Sequence, residues 1–291
     1  MRSLSSQIKA RFAVVALATT SIACSVEVDE TTDAETGSTH GLVSIQRSAV
    51  IGSEEAPTAD AIAHFAQIPS SGDASELLSV VGLAPRLPDI GQCNQGQSLP
   101  GDPSGELTLL DVGEITIATD AASTRLAPMA FPTVRDLVSG VVYTTRDRAS
   151  LPFPAGSVYQ IKALGSDQLP AFDLRADAPD LLADVTVGGV ALEEIESVSL
   201  GEPIDLTWSV GALGDIVYVE LLSDQDGDVS VVCAFQDDAG AGSIDATLLS
   251  TSGEGWLSLH RVRSHEVGTE GLDIAELRFD FELAAAVRFA E

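Results

Sequence analysis

The sequence predicts a mostly β protein, on three observations. From Gly41 onward apolar and polar residues alternate with a period of two, as in strands that bury one face. The alternating runs are short and end at Gly, Pro or Asp, the residues that turn a chain. Few stretches carry the three-to-four-residue spacing of an amphipathic helix. With 45% hydrophobic residues in 291, the chain can fill sizeable cores. The expected organisation is two antiparallel β-sandwich-like domains, residues 42–180 and 181–291, after a signal peptide (1–23) and a disordered acidic tether (24–41).

The first element is the leader. Arg2, Lys9 and Arg11 precede an apolar run from Phe12 to Ala18 and a small-residue stretch ending Ser21-Ile22-Ala23-Cys24. The run falls short of the roughly 20 residues that span a bilayer as a helix, so it reads as a secretory signal. Ala23-Cys24 resembles the lipobox of bacterial lipoproteins, in which a small residue precedes the lipid-bearing cysteine. That resemblance implies diacylglycerol on Cys24 and, with Ser25 next, an outer-membrane address. Ser21-Ile22-Ala23 also suits ordinary signal cleavage, the alternative, which releases a soluble protein.

The tether follows. Glu27, Asp29, Glu30, Asp33 and Glu35 are interspersed with Ser, Thr and Gly, a composition unable to bury apolar surface. In the first domain strands are expected at 42–48, 59–68, 106–110, 114–119, 141–145, 157–164 and 171–176. Asp73–Gly82 is the expected helix, with Asp73 as cap and Glu76 three residues on. Leu83–Ser104 holds four prolines and three glycines and is expected to be an irregular loop containing Cys93. Ala-Asp-Ala-Pro-Asp around 176–180 marks the boundary.

In the second domain Ile204, Leu206 and Trp208 alternate with Asp205, Thr207 and Ser209, and Asp215–Leu222 follows a glycine-containing turn. Val229, Val231, Cys233 and Phe235 share a face, as do Leu277, Phe279, Phe281 and Leu283. The segment Ile204 to Val219 resembles the immunoglobulin-like and fibronectin III-like modules of secreted bacterial proteins. The whole chain resembles uncharacterised predicted lipoproteins. A fold resemblance implies a recognition or spacer module and transfers no site.

Charge excludes one class of partner. Removal of residues 1–23 leaves 12 Lys+Arg against 44 Asp+Glu, a net of −32. Such a field repels phosphate backbones, so no nucleic-acid partner is expected. The expected partners are the membrane, through lipid on Cys24, and an envelope protein or glycan.

Asp224, Asp226 and Asp228 around Gly227, with Asp237 and Asp238 nearby, offer oxygen ligands of the kind calcium takes. The bland alternative, which the Asp-Gly pair favours, is a tight hairpin turn without metal. Cys93 and Cys233 allow one disulfide in an oxidising compartment; Cys233 otherwise packs as a buried thiol. The four histidines are scattered. His260 and His265, five apart, face opposite sides of a strand over 257–267. No nucleophile elbow, zinc-protease helix, Cys-x-x-Cys or phosphate loop occurs. Trp208 and Trp256 suit core positions more than a sugar platform. The expected function is therefore non-catalytic binding or scaffolding in the envelope. The alternatives are a secreted hydrolase whose acids meet only in three dimensions and a calcium-dependent carbohydrate-binding module.

Overall fold

Two β-sandwich-like cores share one long hairpin. The computed structural model describes residues 37–68, 87–95, 107–134, 138–145, 153–223, 230–248 and 252–290. The leader, Cys24, the expected helix Asp73–Gly82 and Asp224, Asp226 and Asp228 lie outside the described residues. Glu35–Glu291 form one compact unit.

The first strands are β1 (Ser38–Val50), β2 (Thr58–Ile68), β3 (Cys93–Gln95), β4 (Leu107–Leu109), β5 (Ile115–Ala118), β6 (Ser123–Val134), β7 (Val138–Thr144), β8 (Val158–Ala163) and β9 (Phe172–Asp177). There follow β10 (Thr186–Val187), β11 (Val190–Ala191), β12 (Ser197–Ser199), β13 (Ile204–Thr207), β14 (Ile216–Ser223), β15 (Ser230–Gln236), β16 (Ala241–Ile244), β17 (Gly253–Thr269) and β18 (Leu272–Ala290). Among the described residues the helical content is three short 3₁₀ turns.

The strands pair in the order β3-β15-β14-β17-β18-β1-β2-β4-β7-β6-β5-β8-β9, with β12 added on β18; β11-β10-β13-β16 form a second sheet. Most pairs are antiparallel. β1 against β18 is parallel, His40 opposite Ile274 through Val50 opposite Ala284, so the first and last strands lie side by side. The alternation read from sequence is what permits this: Val43 and Ile45 of β1 and Leu277, Phe279 and Phe281 of β18 all enter the same core.

That first core also takes Ile115, Ile117, Tyr159, Ile161, Phe172 and Leu174 from β5, β8 and β9. Strands β5, β8 and β9 at one end of the sheet path thus face β1, β2 and β18 from its middle across this core, as layers of a sandwich do. The second core sets Ile204 and Leu206 of β13 and Ile244 of β16 against Val217, Val219, Val231 and Leu257 of β14, β15 and β17. Trp208 lies in this core, 4% exposed, and donates its indole N–H to the Asp237 carbonyl at 3.0 Å. Trp256 is at the surface.

The hairpin β17–β18 serves both cores. Leu272–Phe281 of β18 contribute to the first, and Leu257, Leu259, Ala285, Val287 and Phe289 to the second. The division between the clusters falls between Ala178 and Leu182, at the segment where the composition breaks.

Three expectations need correction in detail. β1 begins at Ser38, inside the stretch assigned to the tether. Cys93–Gln95, within the stretch expected to be irregular, is a short strand on β15. β6, a 12-residue strand that contains Pro128 and Pro132, was not among the expected strands.

Candidate functional site

Successive residues of β17 point to opposite faces, and the two faces carry different chemistry. On the odd-numbered side Leu257 and Leu259 fill the second core, and the series continues as Arg261 and Arg263 where the two cores meet. There the connecting segment 177–182 presents backbone carbonyls that need donors. Arg261 donates to the carbonyls of Asp180, Leu181 and Ser209 and to the carboxylate of Asp237. Arg263 holds Asp215 with two bonds of 2.7 Å and reaches Asp177 at 2.8 Å. Asp215 raises the guanidinium pKa further by hydrogen bonding. His265 adds a contact of 3.0 Å to the Asp177 carbonyl. This face is a structural clasp: its arginines are engaged by carboxylates and carbonyls, while Arg261 Nε and Asp237 Oδ2 are buried with no hydrogen-bond partner among the described residues.

Asp237 is therefore placed differently from the sequence expectation. It is fully buried and bound to Arg261, not a free calcium ligand; Asp238 beside it is exposed. Among the described residues no three His, Cys, Asp or Glu side chains group to hold a metal ion. β14 and β15 pair in antiparallel register up to Leu222 opposite Ser230. Cys93 and Cys233 stand directly opposite across β3 and β15 and are joined in a disulfide spanning 140 residues of sequence.

The even-numbered side of β17 builds the candidate site. Registers across five strands align Tyr218, His260, Glu282, Ser48 and Thr58 in one row. The next row aligns Ile216, Val262, Asp280, Gln46 and Asp60. Between them lies a cleft of about 320 Å³, and an adjoining one of about 360 Å³ shares Gln46, Ile62, Tyr218 and Asp280 with it.

Asp280 organises the cleft. One of its oxygens meets His260 Nδ1 at 2.8 Å, and the other accepts the Tyr218 hydroxyl at 2.9 Å. A carboxylate acceptor places the imidazole proton on Nδ1. The two rings stack at 4.0 Å with 12° between their planes. Burial, then the Asp280 charge, pushes the Tyr218 phenol far above its usual range. Among the described residues His260 Nε2 is buried without a hydrogen-bond partner; Glu282 is the neighbouring carboxylate, at 3.8 Å. Sequence reading dismissed His260 because no motif surrounds it. The signal was three-dimensional: Tyr218, His260 and Asp280 come from three strands.

A second His lies near a serine. Ser38 Oγ and His40 Nε2 are 2.8 Å apart, and Asp273 raises the His40 pKa while burial, the larger effect, lowers it. Asp273 accepts the Thr39 amide instead of a ring N–H, so the three do not form a relay of nucleophile, base and orienting acid.

No family model matches the chain, and no curated protein matches it. Among solved structures it is similar to the Mu homology domain of Fcho1 from Danio rerio with bound Eps15 peptide. The identity is 10%, the match covers 87% of this chain and 98% of that one, and the TM-score is 0.26. At that score the likeness carries no argument about the site.

Proposed function

We propose that this chain is a non-catalytic, exported binding or scaffolding protein, fixed by lipid on Cys24 to a bacterial outer membrane, with an envelope protein or glycan as its partner. The observation that carries the reading is the Cys93–Cys233 bond, because stable disulfides belong to oxidising compartments outside the cytoplasm. The basic, apolar and small-residue order before Cys24 supplies the address, and the acidic stretch after it supplies reach. The immunoglobulin-like resemblance of Ile204–Val219 belongs to the same reading, since such modules recognise or space. Supporting the non-catalytic part, the Ser38–His40 pair lacks an orienting acid and the arginines of β17 are engaged by structural carboxylates and carbonyls.

The test is fractionation of cells expressing the natural chain and Cys24→Ala, followed by crosslinking of the envelope. The natural chain is expected in the membrane fraction and the variant in the soluble periplasmic or medium fraction. Equal distribution of both would remove the anchor, and an intact chain recovered from cytosol would remove export as well.

A further inference from the structure

The two ends of the long sheet path are closed in different ways. β9, at one end, carries Asp173, Arg175 and Asp177 at alternate, exposed positions, charges of the kind that keep an edge from pairing with other chains. β15, next to the other end, has no such protection. Ser230–Gln236 contains no charged residue, Pro or Gly, and Val231–Phe235 are buried. A neutral, β-favouring run of this length is the pattern that self-associates once its backbone edge is open.

What closes that edge is β3. Val231, Val232 and Cys233 stand opposite Gln95, Asn94 and Cys93. The residues before β3 extend the cover: Gly91 donates its amide to the Ala234 carbonyl at 2.7 Å, and the Ala234 amide donates to the Gln92 carbonyl at 3.1 Å. The cover brings little burial of its own. Gly91, Gln92, Asn94 and Gln95 are exposed, and Cys93 is partly buried against the second core. Five residues that hide so little apolar surface do not offset the entropy of ordering them. The Cys93–Cys233 bond supplies the difference.

We infer that this disulfide locks an otherwise weak edge cover, and that the reduced chain pairs β15 with β15 of a second copy. A second copy fits because the strand is neutral: antiparallel pairing about a two-fold axis sets no like charges opposite one another, and one surface serves both partners. The rest of the molecule opposes the approach, with a net charge of −29 over the sequence. Salt screens that repulsion, so association of the reduced chain strengthens with ionic strength. The redox step is a two-electron exchange: a dithiol gives two electrons and two protons to the bond, leaves thiols on Cys93 and Cys233, and itself becomes a disulfide. The inference goes beyond the envelope-binding reading and does not depend on the lipid anchor.

The experiment uses the full chain carrying Cys24→Ala, which leaves Cys93 and Cys233 as its cysteines. Sedimentation equilibrium is run with and without a dithiol at roughly 0.05 and 0.5 M NaCl, where screening lengths differ about threefold. It is read together with far-UV circular dichroism and with hydrogen exchange at the Ala234 amide, whose N–H points into the cover. The oxidised chain is expected to be a monomer with Ala234 protected at every protein concentration. Reduction is expected to keep the sheet and to raise the dimer association constant about 30-fold or more. The higher salt raises it further, and protection of Ala234 then rises with protein concentration. Cys93→Ser in the same dithiol behaves as the reduced chain. The inference is overturned if the reduced chain stays a monomer, if its Ala234 protection is independent of concentration, if the oxidised chain associates as strongly, or if reduction melts the sheet as a whole.

Discussion

Arg261 and Asp237 form a buried ion pair, Nη2 to Oδ1 at 2.9 Å, with side chains 2% and 0% exposed. Gly211 lies against it: a Cβ there would overlap Asp237 Oδ2 and crowd the Arg261 guanidinium. The pair binds the loop 209–212, the 3₁₀ turn Asp237–Ala239 and the segment joining the two cores.

Removing one partner strands the other charge. Arg261→Met is expected to cost about 3–5 kcal/mol, and Arg261→Met with Asp237→Leu much less than the sum of the single changes. Urea denaturation of the four proteins measures the coupling. Additive losses would mean that the pair does not act as a unit.

Gly211→Ala is expected to destabilise on the order of 1–3 kcal/mol by overpacking against Asp237 Oδ2, with most of the loss absent in the Asp237→Ala background. A change in denaturation midpoint that is equal in both backgrounds would place the cost elsewhere.

The Cys93–Cys233 bond closes a long loop and ties β3 to the edge of β15. Reduction, or Cys93→Ser with Cys233→Ser, is expected to lower stability by about 2–5 kcal/mol. Melting with and without reductant reads this directly, and coincident curves would contradict it.

Alkaline pH acts through the tyrosines. The chain has three, and burial pushes the phenols of Tyr143, Tyr159 and Tyr218 above their ordinary range. An unfolded phenol loses its proton near pH 10 while the folded one keeps it, so above about pH 10 the unfolded state binds fewer protons and stability falls as pH rises. Phenolate absorbance should stay flat through that range and appear together with loss of β circular dichroism. Gradual ionisation near pH 10 with the sheet intact would show the burial to be wrong.

At the acid end, the Tyr143 hydroxyl, followed by the Gly113 amide, holds the Asp111 carboxyl below its usual value. A depressed carboxyl stabilises above the unfolded pKa of about 4, and the contribution disappears as pH falls through the folded value. The stability gap between the natural chain and Tyr143→Phe should therefore narrow below about pH 4. It keeps a pH-independent remainder, because the Val112 amide loses its acceptor. A gap unchanged between pH 6 and pH 3 would contradict the assignment.

Strands with clean alternation were legible because one buried face leaves a period of two: β2, β8, β14 and the middle of β18 are where the pattern put them. β16 was not legible, since Gly242 packs under the Phe235 ring and leaves no apolar alternation to read. Nor was the β1–β18 pairing, because register between the ends of a chain is written in neither segment alone. The clasp left a trace in the arginines that interrupt the inward series Leu257, Leu259, Arg261, Arg263. The His260 cleft left none: its parts are 42 and 20 residues apart, and only the registers of β14, β17 and β18 align them.

Anchoring at Cys24 is tested most directly by the mass of the first tryptic peptide of the membrane-bound protein. Cleavage after Arg47 is the first available beyond residue 23, so the expected fragment is Cys24–Arg47 carrying diacylglycerol, with or without an acylated amine. An unmodified fragment, or one extending upstream of Cys24, would contradict the anchor.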